Sequence, residues 1–142
     1  MRTLQVFAIL LFAFSAAPTL HPAFASDLDA PSTEALAKTQ QLLTTPTSRD
    51  RAIREEGDKA HKADAFARDI AGSQANHEAM YQVSSQIFAE ITQASDGDVD
   101  KMQEKLTQAM ANPEGFFNGL SETNKKAVRE LSEKVPQKQS LH

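Results

Sequence analysis

The stretch Asn76 to Ala94, NHEAMYQVSSQIFAEITQA, decides the fold. Met80, Val83, Ile87, Ile91 and Ala94 recur at steps of three and four, and Ala79, Tyr81 and Phe88 widen that stripe. This is the period of an amphipathic helix. Between Ala79 and Ala94 the only ionic residue is Glu90, and the outward positions are Gln82, Ser84, Ser85, Gln86, Thr92 and Gln93. A face without charge accepts neighbours on several sides without stranding an ion, so the segment reads as a central packing element. The segments left to cover it are few, so part of its Gln and Ser face is expected to stay open. The edge formed by Tyr81, Ser84, Ser85 and Phe88 is therefore the candidate partner-binding surface.

Upstream, a helix is expected over 33–43, capped by Ser32, with Ala35, Leu36, Leu42 and Leu43 as a thin apolar face. Pro46 suits a first helical position, so a second helix starts there with Thr45 or Thr47 as cap and runs to Ala71, kinked or broken at Gly57. Its apolar side is Ile53, Ala60, Ala63, Phe66, Ala67 and Ile70, smooth enough to dock closely on the central stripe. Gly72 stops it, and Ser73 or Asn76 caps the next. Downstream, Asp98 caps a helix over 99–111 with Val99, Met102, Leu106, Ala109 and Met110 inward. A short turn then carries Phe116 and Phe117, and Ser121 caps a last helix to Val135 with Val128 and Leu131 inward. Together these predict an all-α fold, a small irregular antiparallel helical bundle of about four main helices plus one short helix.

Residues 1–25 read as a secretory signal peptide: Arg2, then the apolar run VFAILLFAF from Val6 to Phe14, then Ala23-Phe24-Ala25 as the cleavage site. A spanning helix needs about 20 apolar residues, and Pro18 breaks this run well before that. The expected organisation is 1–25 signal peptide, 26–31 flexible mature N-terminus, 32–135 a single helical domain and 136–142 a disordered tail. Removing Arg2 from the 15 basic residues leaves 14 against 19 acidic ones, a mature net charge of −5. That balance opposes both a nucleic-acid footprint and an anionic-membrane binder. Cysteine is absent, which removes disulfides, thiolate metal sites and a cysteine nucleophile.

Candidate chemistry is sparse. Asp96, Asp98 and Asp100 alternate as at the start of a calcium loop, but the sixth and twelfth positions counted from Asp96 are Lys101 and Thr107 where such a loop needs Gly and Glu. Turn and cap roles explain these aspartates better. Asp58, His61 and Asp64 share a helix face with His77 beyond the next turn, but Glu55 with Lys59 and Asp64 with Arg68 make a solvated ladder the better reading of the same residues. No GxSxG elbow or SxxK arrangement is present, and no cofactor is implied. Met80, Met102 and Met110 with Phe66, Phe88, Phe116 and Phe117 line either an apolar-ligand pocket or, as is commoner at helical spacing, the core.

The function expected from the sequence is an exported, non-enzymatic module that binds an unknown protein partner, periplasmic or secreted, of a bacterial cell envelope. The alternatives are a small apolar-ligand carrier or sensor, and an enzyme using carboxylates with His61 or His77.

Overall fold

A computed structural model describes residues 30–136, and within them the fold is all-α: seven helices and no strand. They are α1 (Ala30–Thr44), α2 (Pro46–Glu56), α3 (Asp58–Ala71), α4 (Gln74–Ala94), α5 (Val99–Ala111), α6 (Pro113–Gly119) and α7 (Glu122–Lys134). None of them is long and apolar enough to cross a membrane. The proposed signal peptide and residues 137–142 of the expected tail lie outside the described residues.

Helix α4, at 21 residues, touches α1, α3, α5 and α7, so the helix with the lowest proportion of charged residues is the one these four share. Met80, Val83, Ile87, Phe88 and Ile91 are buried along it and join Ala71, Met102, Ala109, Phe117, Leu120, Val128, Leu131 and Val135 in one core. Ile87 and Val128, among the largest side chains with almost no exposed surface, sit on α4 and α7.

The ends of α4's neighbours are fastened by polar groups that α4 itself supplies. Ser73 caps α4 through the Asn76 backbone N–H at 3.1 Å. The Asn76 side-chain amide then donates to the Ala71 carbonyl and to the Lys134 carbonyl, both at 2.9 Å, satisfying the last turns of α3 and α7 at once. At the other end, the Glu90 carboxylate accepts from the Ser121 N–H at 2.7 Å, from the Ser121 hydroxyl at 2.8 Å, and from the Asn124 amide. The single charge in the otherwise uncharged part of α4 is thus spent on the N-terminus of α7, where helix polarity favours an anion. Gly72 ends α3 in the left-handed region at φ 69°, and a Cβ there would collide with the Pro136 ring that follows α7.

Some positions differ from expectation. Helix α1 begins at Ala30, ahead of the expected start at residue 33, and Pro31 is tolerated because a helix's first turn has no use for its missing N–H. Of the kink or break expected at Gly57, the chain takes the break: at φ 78° this residue separates α2 from α3. Phe66 and Met110 are exposed at 50% and 55%, because Ala67 with the half-buried Asp64 on α3, and Ala109 on α5, take the inward positions instead.

If Glu90 anchors α7 as described, Glu90→Ala will destabilise the protein by about 1–3 kcal/mol and Ser121→Ala by about 0.5–2 kcal/mol. Because both remove the same contact, urea unfolding of the double variant should show a loss smaller than the sum.

Candidate functional site

Six side chains close a ring of contacts where α2, α3 and α4 meet. Arg49 on α2 donates from one guanidinium nitrogen to both Glu78 oxygens, at 2.6 and 2.7 Å. Glu78 accepts in turn from the Gln74 amide at 3.0 Å, and the Gln74 carbonyl oxygen accepts from Arg68 at 3.1 Å. Arg68 Nε donates to Asp64 Oδ2 at 2.6 Å, and the Tyr81 hydroxyl donates to Asp64 Oδ1 at 3.3 Å. The face of Tyr81 completes the circuit by stacking under the Arg49 guanidinium, whose central carbon lies 3.7 Å from the ring centroid. Only arginine combines a flat cation for that stack with a fork for the carboxylate.

The local sequence explains the placement. Asp64 and Arg68 are one turn apart on α3, and Gln74, Glu78 and Tyr81 follow at steps of four and three along α4, so each set shares a face. Gly57, at φ 78° and ψ −154°, breaks the helix between α2 and α3, and Arg49 of α2 comes to lie over Tyr81 on α4. Arg49 is the one buried side chain of α2, and it also reaches the Leu43 carbonyl of α1 at 3.5 Å.

His77 lies against this ring with no exposed surface. Its Nε2 is 3.1 Å from Asp64 Oδ1, its Nδ1 is 4.0 Å from Glu78 Oε1, and its imidazole meets Tyr81 edge to face at 5.0 Å. Neither nitrogen is aligned for a hydrogen bond: the approach to Asp64 is close in distance but off the line that a ring N–H requires. Burial therefore pushes the His77 pKa down from its ordinary 6.5, against the pull of Asp64, with Arg68 and Arg49 adding to the depression. Burial and Asp64 push the Tyr81 hydroxyl up to about 12. At neutral pH the site holds a neutral imidazole and a neutral phenol between two ion pairs.

The residues singled out from sequence divide cleanly. His77 and Asp64 do converge, whereas His61 and Asp58 are exposed. Asp64 pairs with Arg68 as expected but is largely buried, with 11% of its side chain exposed, so it is no solvated rung. Glu55 and Lys59 do not share a continuous face, since Gly57 breaks the helix between them. Asp98 caps α5 through the Lys101 N–H at 3.1 Å, and that bond holds its carboxyl below the usual range; Asp96 forms the turn at φ 51° and Asp100 is exposed. Among the described residues no three His, Asp or Glu side chains are grouped to hold a metal ion.

Along the proposed partner edge Ser84, Ser85 and Phe88 are buried and Tyr81 is half-buried; α1 packs over α4, with its Gln40 amide donating to Ser85 Oγ at 2.6 Å, and Arg49 of α2 lies over the Tyr81 ring. Met80, Phe88, Met102 and Phe117 belong to the core. Arg49 and Glu78 had not been identified from sequence. Nothing local distinguishes Arg49 from Arg51 or Arg54, and only the position of α2 over Tyr81 gives it its role.

Removing Glu78 leaves a buried guanidinium without its carboxylate, so Glu78→Ala should cost about 2–4 kcal/mol, and adding Arg49→Met should recover much of it; thermal melts of the wild type and the two variants check this. His77 in the folded chain binds its proton less readily than in the unfolded chain. Its contribution is therefore unperturbed above about pH 6.5 and turns unfavourable as pH falls below that value. Urea midpoints measured on the wild type should drop over this range more steeply than those of His77→Gln.

Comparison with family models, with curated proteins and with solved structures finds no match to this chain, so any functional reading rests on its own geometry.

Proposed function

We propose that this chain is an exported, non-enzymatic protein of a bacterial cell envelope that acts by binding another protein, as an accessory subunit, chaperone-like binder or inhibitor. In this reading it is an irregular antiparallel helical bundle released from a signal peptide at Ala25. The observation that carries the non-enzymatic part is the closure of the ring around His77. Its His, Tyr, Asp and Glu are the kind of groups that move protons, yet His77 has no surface, with Tyr81 packed edge to face against it and Arg49 stacked on Tyr81, leaving a substrate no approach. The groups spend their hydrogen bonds on holding three helices together. Support for export comes from the basic, apolar and small-residue pattern of 1–25.

The reading is tested by placing a photo-cross-linking residue singly at Lys38, Phe66, Met110 and Lys126, exposed positions on α1, α3, α5 and α7, in the producing cell. A discrete adduct with one protein from one or two adjoining sites, on a chain whose N-terminus is Ser26, is the expected result. Adducts from no site, or equal smears from all four, overturn the binding role. An intact N-terminus in the cytoplasm overturns export.

A further inference from the structure

Helix α2 is held in an unusual way. Its single buried side chain is a cation, and Ala52 and Ile53 are only half-buried. It is bounded by two one-residue links: Thr45, whose hydroxyl makes no capping bond and whose N–H donates to the Gln41 carbonyl at 2.8 Å, and Gly57, at φ 78° and ψ −154°, where an added Cβ would meet nothing within 4 Å. Its anchor, Arg49, lies over Tyr81 and beside the fully buried His77. We infer that α2 is an acid-released strap: protonation of His77 detaches Arg49 from Glu78, and α2, too short to hold as an isolated helix, unravels between Thr45 and Gly57 and uncovers the Tyr81 face of α4.

The reason is a shortage of anions. The charged groups facing His77 are Arg49 from α2, Asp64 and Arg68 from α3, and Glu78 from its own helix; Asp50 of α2 stands 4.0 Å from Arg68 at the rim, and α1 brings the Leu43 carbonyl. With neutral imidazole there are two guanidiniums for two inner carboxylates. An imidazolium makes three cations for the same two anions, and the acceptors within its reach, Asp64 and Glu78, are those already used by Arg68 and Arg49. Arg68 is 46% exposed, whereas Arg49 is sealed in, with its Nε unbonded. The sealed cation gains most from reaching water, and it belongs to the helix with the least apolar burial. By contrast, α3 keeps Ala71 in the core and α7 keeps Val128 and Leu131, so these stay in place. The strap requires no loss of the core.

Native-state hydrogen exchange tests this, with rates corrected for the intrinsic effect of pH. Between about pH 7.5 and 5, α2 amides should lose protection by about tenfold or more while α4 and α7 amides keep theirs. Tyr81 provides a second readout: it is the one tyrosine in a chain without tryptophan, so its fluorescence reports directly on the stacked Arg49. Its change should share the midpoint of α2 opening, and both changes should vanish in H77Q. Unchanged α2 protection down to about pH 5, equal loss in H77Q, or loss only together with α4 and α7 each overturns the strap. If H77Q does not fold, wild type decides alone, because His77 ring resonances must titrate with the same midpoint as α2 opening, and separate midpoints reject the coupling.

Discussion

Between Glu78 and Glu90 the surface of α4 carries no charge, and α1, α2, α3 and α7 are held on this helix by specific polar footholds, since small apolar faces alone would let those helices slide. Four side chains of α4 supply the footholds: Asn76 for the ends of α3 and α7, Glu78 for α2, Ser85 for α1 and Glu90 for the start of α7. Hydrogen bonds are directional where apolar contact is not, so these four points set register while the stripe from Met80 to Ile91 supplies the driving force. Both roles fit on one helix because the stripe occupies one side and the footholds lie on its flanks and ends.

The same division explains why α2 stands apart. Helices α1, α3, α5 and α7 each combine a polar or capping contact with apolar side chains packed in or against the core, among them Leu36, Leu43, Ala71, Met102 and Val128. Helix α2 contributes an arginine instead. A buried ion pair gives orientation but little net stability, because desolvating both ions offsets most of their attraction. An imidazole placed beside such a pair makes the balance sensitive to one proton, and His77 occupies that place.

Much of the architecture was legible in the chain. The period of Met80, Val83, Ile87 and Ile91, the proline at 46, the stop at Gly72 and the caps at Ser73, Asp98 and Ser121 all have local causes, and the structure places them as those causes require. The less legible positions were flanking ones. Phe66 and Ala67 differ by a rotation of about 100° on a helix, and choosing which faces inward depends on what the neighbouring helix presents. Ser84 and Ser85 read as outward for the same reason until α1 is laid over them and Gln40 meets Ser85.

By itself, then, the sequence determined an all-α chain without cysteine, the positions of most helix ends and the identity of the central helix, because periodicity, capping and proline or glycine punctuation act within a few residues. Only the tertiary structure decided that Arg49, Asp64, Arg68, Gln74, Glu78 and Tyr81 close a ring over His77. Those residues come from three helices, and a buried charge is tolerated only where partners distant in sequence arrive together; Arg49 and Glu78 are 29 positions apart and have no local sign of each other.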